Sequence, residues 1–159
     1  MIMVIKAKYL PFCTKYLGEY PVTHIGFSVD YARQFLKVPR VNLSLFQTLM
    51  VGPRGKSLIR EVKKQKADRA VFFWTVNEES WMRWSIQQEV DGIITDDPRK
   101  YLEVRKSYGK NESIRHSWAS WKNIFRFHWF FIRYGLSFRL KHGFWVDAPR
   151  VMKNLEAAH

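Results

Sequence analysis

Apolar positions through the first part of the chain switch repeatedly between a period of two and a period of three to four. That switching predicts strands alternating with helices. It is clearest over Ala70–Pro98, AVFFWTVNEESWMRWSIQQEVDGIITDDP. Ala70–Val76 is a β-branched and aromatic run of strand length. Asn77 is placed to cap a helix, with Glu78 and Glu79 in its first turn, where carboxylates suit the positive helix end. Trp81, Met82, Trp84, Ser85 and Ile86 then recur at helical spacing. Asp91–Gly92 turns the chain and Ile93–Thr95 is a second apolar strand. Asp97–Pro98 is a cap followed by proline at a first helical position. Strand, helix and strand in this order predict a βαβ crossover joining parallel strands.

The same alternation extends upstream. Met1–Ile5 reads as a strand, Lys8–Tyr20 as a short helix and turn, and Pro21–Phe27 as a strand. Ser28 is a cap for a helix over Val29–Lys37 with Ala32, Phe35 and Leu36 on one face, and Pro39 blocks its continuation. Val41, Leu43 and Leu45 alternate with Asn42 and Ser44 as in a strand. Val51–Gly55 is a turn-rich break. Lys56–Lys66 is an amphipathic helix, apolar at Leu58, Ile59 and Val62. The pattern as a whole predicts an α/β fold with a parallel sheet.

From Arg105 to His159 the pattern changes. Lysine and arginine greatly outnumber acids, and aromatic residues are dense between Trp118 and Trp145. At about 100° per residue, Arg115, Lys122, Arg126 and Arg133 fall on one helical face. Phe127, Phe131 and Phe138 fall opposite, near Ile124, and Gly135 is a place for the helix to end or bend. Such a helix suits a membrane interface. The same residues also suit packing on the preceding segment, or nucleic acid, although no RNA- or DNA-binding motif surrounds them. No run of about 18 uncharged apolar residues predicts a spanning helix. The opening MIMVIKAKYL does not read as a convincing signal peptide: Lys6 breaks its apolar run and no basic region precedes it. The expected organisation is 1–104 as an α/β segment and 105–159 as the tail.

Composition narrows the partners. The 159 residues carry 27 lysines and arginines against 14 acids, a formal charge of +13, and 16% are aromatic. That balance favours an anionic partner, a nucleic acid or a membrane surface, although a solvated lysine face gives the same count. Cys13 is the only cysteine. It permits no intrachain disulfide and no zinc spacing, fits a small buried apolar position, and suits a reducing compartment.

The wording of the segments adds a resemblance. WTVN, a helix and VDGIITDDP, preceded by KYLPFCTKYLGEYPVTHIGFSVDYARQFLKV and VNLSLFQTLMVGPRGKSLI, resemble the closing part of the glycerophosphodiester phosphodiesterase family. More narrowly they are similar to its fungal phosphatidylglycerol phospholipase C branch. The resemblance spans Lys8–Val104. It implies a TIM-barrel hydrolase of phosphodiesters that uses a divalent cation, Mg²⁺ or Ca²⁺. A complete (β/α)₈ barrel takes about 250 residues, and this chain resembles only the second half. The expected fold is therefore α/β, a partial TIM barrel followed by a basic aromatic helical tail. Open sheet edges favour association, so a homo-oligomer is an expected partner state. A substitute strand, an alternative start and an incomplete gene model each account for the opening methionine.

The family implies catalysis by a His-Arg-Gly motif, a second histidine and metal-binding acids, all in the first half of the barrel. The sequence has no HRG, no ENT after one, and no E-x-D strand with a following HD pair. No catalytic residue, metal ligand or retained cofactor is therefore assigned. Trp74 corresponds to the family tryptophan that lines the substrate cleft, and Phe46 and Gln47, ending another strand, are assigned there too. His24 has a side chain suited to acid–base work but no local carboxylate, and reads as a hydrogen-bonded strand histidine. Asp96 and Asp97 stand at a strand's carboxyl end, where paired acids can hold a cation, yet the family does not use this pair and Asp97 has a capping role. Gly52–Gly55 lacks phosphate-loop spacing. The expected function is a truncated phosphodiesterase of phosphatidylglycerol metabolism, not catalytic alone. The alternative is a non-catalytic membrane-surface protein. Its expected partner is anionic phospholipid rather than nucleic acid, on an intracellular endomembrane or lipid-droplet surface.

Overall fold

The computed structural model of the protein describes residues 2–4, 7–65, 69–109 and 113–142. These fall into two compact units, one running to Phe72 and one starting at Phe73. The first unit contains β1 (Ile2–Val4), a 3₁₀ turn (Ala7–Tyr9), α1 (Leu10–Leu17), β2 (Val22–Gly26), α2 (Val29–Phe35), β3 (Val41–Phe46), α3 (Gln47–Met50) and α4 (Pro53–Lys64). β1, β2 and β3 are parallel neighbours, with Ile2 opposite Val22 and Val22 opposite Val41. β4 (Val71–Trp74) follows and begins in this unit. β4 approaches β3 where the Leu43 N–H donates to the Ala70 carbonyl at 2.9 Å and the Ala70 N–H donates to Asn42 Oδ1 at 2.8 Å.

Local chemistry accounts for these elements. Ser28 caps α2 by accepting the Tyr31 N–H at 3.2 Å. Ala32 and Phe35 on α2, Leu43 and Leu45 on β3, and Leu58, Ile59 and Val62 on α4 are buried. The Tyr31 hydroxyl accepts the Ala7 N–H at 2.7 Å and ties the turn after β1 to α2. Burial pushes the Tyr31 phenol above its ordinary value. α2 ends without a glycine. Instead the Arg69 guanidinium donates to the carbonyls of Phe35 and Leu36, each at 3.1 Å, and more loosely to those of Val38 and Val41. Carbonyls at a helix end have no partner within the helix, and a cation there also opposes the negative end of the dipole.

Two expectations for this unit change. The alternation over Val41–Phe46 predicts Ser44 on a polar face, but Ser44 is fully buried, as is Thr23 on β2. Parallel strands connected by helices are covered on both faces, so polar positions are enclosed too. The break read at Val51–Gly55 is the start of α4: Gly52 is its N-cap, Pro53 its first residue, and Gly55 lies inside it. Proline suits that position because its missing N–H would be unpaired there anyway.

The second unit holds the end of β4, α5 (Glu79–Gln87), β5 (Gly92–Ile93), α6 (Pro98–Ser107) and α7 (Trp118–His142). The Ile94 N–H donates to the Phe73 carbonyl at 2.7 Å and the Val76 N–H donates to the Ile94 carbonyl at 3.0 Å. Phe73, fully buried, stacks on Trp84 with ring centres 5.7 Å apart, and so fixes α5 on β4. Asp97 caps α6 by accepting the Lys100 N–H at 3.0 Å, as DDP implies. Asn77 does not cap α5; the N-cap is Glu78, without a side-chain cap bond. The helix does not end at Gly135, since α7 runs through that residue to His142.

Candidate functional site

In the second unit the chain leaving β4 and the chain leaving β5 are held together by Asn77. Its Oδ1 accepts from the Thr95 hydroxyl and from the Asp96 N–H, both at 3.0 Å, and its Nδ2 donates to Asp96 Oδ2. The short amide satisfies two donors and an acceptor at once, and that explains why it turns away from α5. Trp74, at the end of β4, is half-buried, and the Trp74–Thr75 peptide is cis. Beside the bracket lies a hollow of about 680 Å³ lined by Glu79, Asp97, Arg99, Lys100, Glu103 and Ser107. Arg83 donates to Glu79 at 2.8 Å and more loosely to the Ser107 hydroxyl.

The divalent cation implied by the resemblance does not fit these residues. Asp97 is spent on the α6 cap and Asp96 on Asn77. Among the described residues no three His, Cys, Asp or Glu side chains are grouped to hold a metal ion.

In the first unit Phe46 is half-buried at the end of β3, against the ring of Phe27 at 5.7 Å. Gln47 opens α3 and is buried, with its Nε2 lacking a hydrogen-bond partner among the described residues. His24 faces the other way. It stacks on Phe35 of α2 at 4.0 Å and meets the edge of Tyr31 at 5.4 Å. Register partners share a sheet face, so His24 shares its face with Leu43, while Thr23, Asn42, Ser44 and Phe46 lie on the opposite one. Strand periodicity thus separates His24 from the assigned cleft residue Phe46.

The tail joins the second unit through a small polar and aromatic seam. The Ser120 hydroxyl donates to Glu78 and lies 2.8 Å from the Ser117 hydroxyl. His116 stacks on Trp81 at 3.7 Å and meets Trp121 edge-on at 5.7 Å. Burial among these rings holds the His116 imidazole below its ordinary value, and the nearby Glu78 carboxylate partly opposes that. Sequence reasoning missed this seam, although a serine at 120 amid aromatics marked a close approach.

The expected grouping of four cations on one helical face is corrected for Arg115. It precedes the first residue of α7, so helical angles do not apply to it. Lys122, Arg126 and Arg133 lie on α7 and are exposed. The opposite face, read as suited to a membrane interface or to packing on the preceding segment, packs inward at its start: Ser120 and Ile124 are buried and Phe127 is half-buried. The side chains of Phe131 and Phe138 lie outside what the structure describes.

Residues 1–100 match the family model described as Glycerophosphoryl diester phosphodiesterase family. No curated protein and no solved structure matches the chain significantly.

Proposed function

The chain belongs to the glycerophosphoryl diester phosphodiesterase family, and from that membership we propose that residues 1–104 are the second half of its TIM barrel, nearest the fungal phosphatidylglycerol phospholipase C branch. The observation that carries this reading is the order WTVN, helix, VDGIITDDP, folded as β4, α5, β5 and α6 with Trp74 at the carboxyl end of β4. Carboxyl ends of strands are where barrel enzymes of this architecture place their sites. Trp74 acts as a cleft residue, and Phe46 and Gln47 do so at the carboxyl end of β3. The HRG motif and the accompanying acids are absent from these 159 residues. The segment therefore supplies substrate contacts and no acid–base pair, and it does not hydrolyse phosphodiesters by itself.

A second reading is supported by the exposed cations and aromatic residues of α7. In it, 105–159 is a basic aromatic tail that holds the protein on an anionic phospholipid surface inside the cell, an endomembrane or lipid droplet.

Calorimetric titration with glycerophosphoglycerol tests the first reading. Saturable binding that Trp74→Ala abolishes, with the thermal midpoint unchanged, is the expected result. Binding indifferent to Trp74, or none at millimolar ligand, removes it.

A further inference from the structure

Resting on the membrane-surface reading, we propose that α7 meets an anionic phospholipid surface with the stripe Trp118, Phe125, Trp129 and Ile132, and not with the face that carries Phe127. The cations Lys122, Arg126 and Arg133 form one border of that stripe.

Over the first three turns of α7, exposure separates the two faces. Trp118 is 79% exposed, Trp129 69%, Phe125 67% and Ile132 66%, whereas Ser120 and Ile124 are buried. At about 100° per residue the four stripe residues fall within roughly 60° of one another, and the three cations fill about the next 40°. From Trp118 to Ile132 the stripe is about 21 Å long. The seam at Ser120 and Glu78 holds the opposite side of the helix on the second unit, and Trp121, edge-on to Trp81 at 6.0 Å, packs beside the Ile132 border of the stripe. The stripe is therefore aimed outward by contacts made behind it.

Charge identifies the occupant. From Trp118 to His142 the sequence has five lysines and arginines and no acid. Such a helix lowers its energy near a negative surface, by about a fivefold gain in binding per cation. Tryptophan favours the headgroup level and phenylalanine the acyl boundary just beneath, while long cationic side chains reach back to phosphates from the border. Ile132 belongs to the stripe and has no ring face on which a base can stack, so the row fits hydrocarbon better than nucleic acid. Phe130 and Tyr134 lie beyond the cations and pair with each other at 4.3 Å.

The test uses the full chain and sedimentation with phosphatidylglycerol–phosphatidylcholine vesicles, beside phosphatidylcholine alone. Tryptophan quenching by brominated acyl chains is read on the same samples. Wild type is expected to bind the mixed vesicles and to be quenched. Trp118→Ser with Phe125→Ser and Trp129→Ser lowers binding roughly tenfold or more, while Phe127→Ser does not. Lys122→Glu with Arg126→Glu and Arg133→Glu abolishes the preference for phosphatidylglycerol and serves as the independent check should the stripe variant lose helicity. Wild type that ignores both vesicles overturns this inference and the membrane reading together. Binding lost in Phe127→Ser but kept in the stripe variant overturns the inference alone. Single-stranded RNA bound in place of vesicles, or a dimer that the stripe variant dissolves, assigns the stripe to another occupant and also overturns it.

Discussion

Replacing Gly55 by alanine should destabilise the protein, although alanine is the better helix former. Gly55 sits in the first turn of α4, and α3 passes directly over it. A Cβ built at Gly55 meets Met50 Cα, the Leu49 carbonyl oxygen at 2.5 Å and the Met50 carbonyl carbon at 2.6 Å. All three are backbone atoms, so no side chain can rotate away; α3 must move from α4. In an exposed helix the change to alanine gains about 1 kcal/mol. Overpacking costs about 1–3 kcal/mol, and occasionally more. Separating the helices also loosens Met50 and Leu58, both essentially fully buried. The upper end of that cost, less the propensity gain, leaves a net loss of about 2 kcal/mol. With a urea slope of about 2 kcal/mol per molar, the unfolding midpoint should drop by about 1 M at constant slope. Gly109→Ala is the control, since nothing lies within 4 Å of its added Cβ. A Gly55→Ala midpoint at or above wild type would refute the close approach of α3 and α4.

Two further predictions concern charged groups. Arg69→Met takes the guanidinium from the Phe35 and Leu36 carbonyls, leaving Phe35 only the Val38 N–H at 3.1 Å, and should cost about 2 kcal/mol in urea unfolding. Arg69→Lys should recover little, because an ammonium lacks the fork that reaches several carbonyls; full recovery would show that charge alone matters. Burial holds His116 below its ordinary value, so the unfolded chain takes up that proton first as pH falls. Its contribution to stability is complete above about pH 6.5 and is lost as pH drops through the lower folded value. Unfolding midpoints measured across that window should fall less steeply in His116→Leu than in wild type, and parallel curves would sink the assignment. Glu61 does not confuse the reading, because Arg33 holds its carboxyl below the ordinary carboxylate range.

Much of the α/β pattern was visible in the sequence because it depends on local rules. The Ser28 and Asp97 caps are satisfied by single side-chain oxygens, and the periodic apolar faces of α2 and α4 are the ones buried. Asn77 was assigned to the wrong partner because a cap and a bridge between strand ends use the same amide, and only the fold brings Asp96 and Thr95 to it. Arg69 gave no signal, since its acceptors are carbonyls about thirty residues upstream. The inward side of α7 was left undecided between a membrane and the preceding segment for a similar reason. Wheel angles separate Lys122 from Phe127, but they do not say which side meets Glu78; the contact of Ser120 with that acid, 42 residues away, decides it. Trp74 became a cleft candidate through the family wording rather than through periodicity.

The central claim is that these 159 residues carry part of a phosphodiesterase cleft without its acid–base chemistry. Its most direct test is phosphodiester release from phosphatidylglycerol vesicles and from glycerophosphodiesters, with Mg²⁺ or Ca²⁺ and an EDTA control, with sedimentation recorded in the same tubes. The account predicts protein on the vesicles and no product above the blank. Metal-dependent turnover that EDTA stops would contradict it, and would direct mutagenesis first to His24, Asp96 and Asp97.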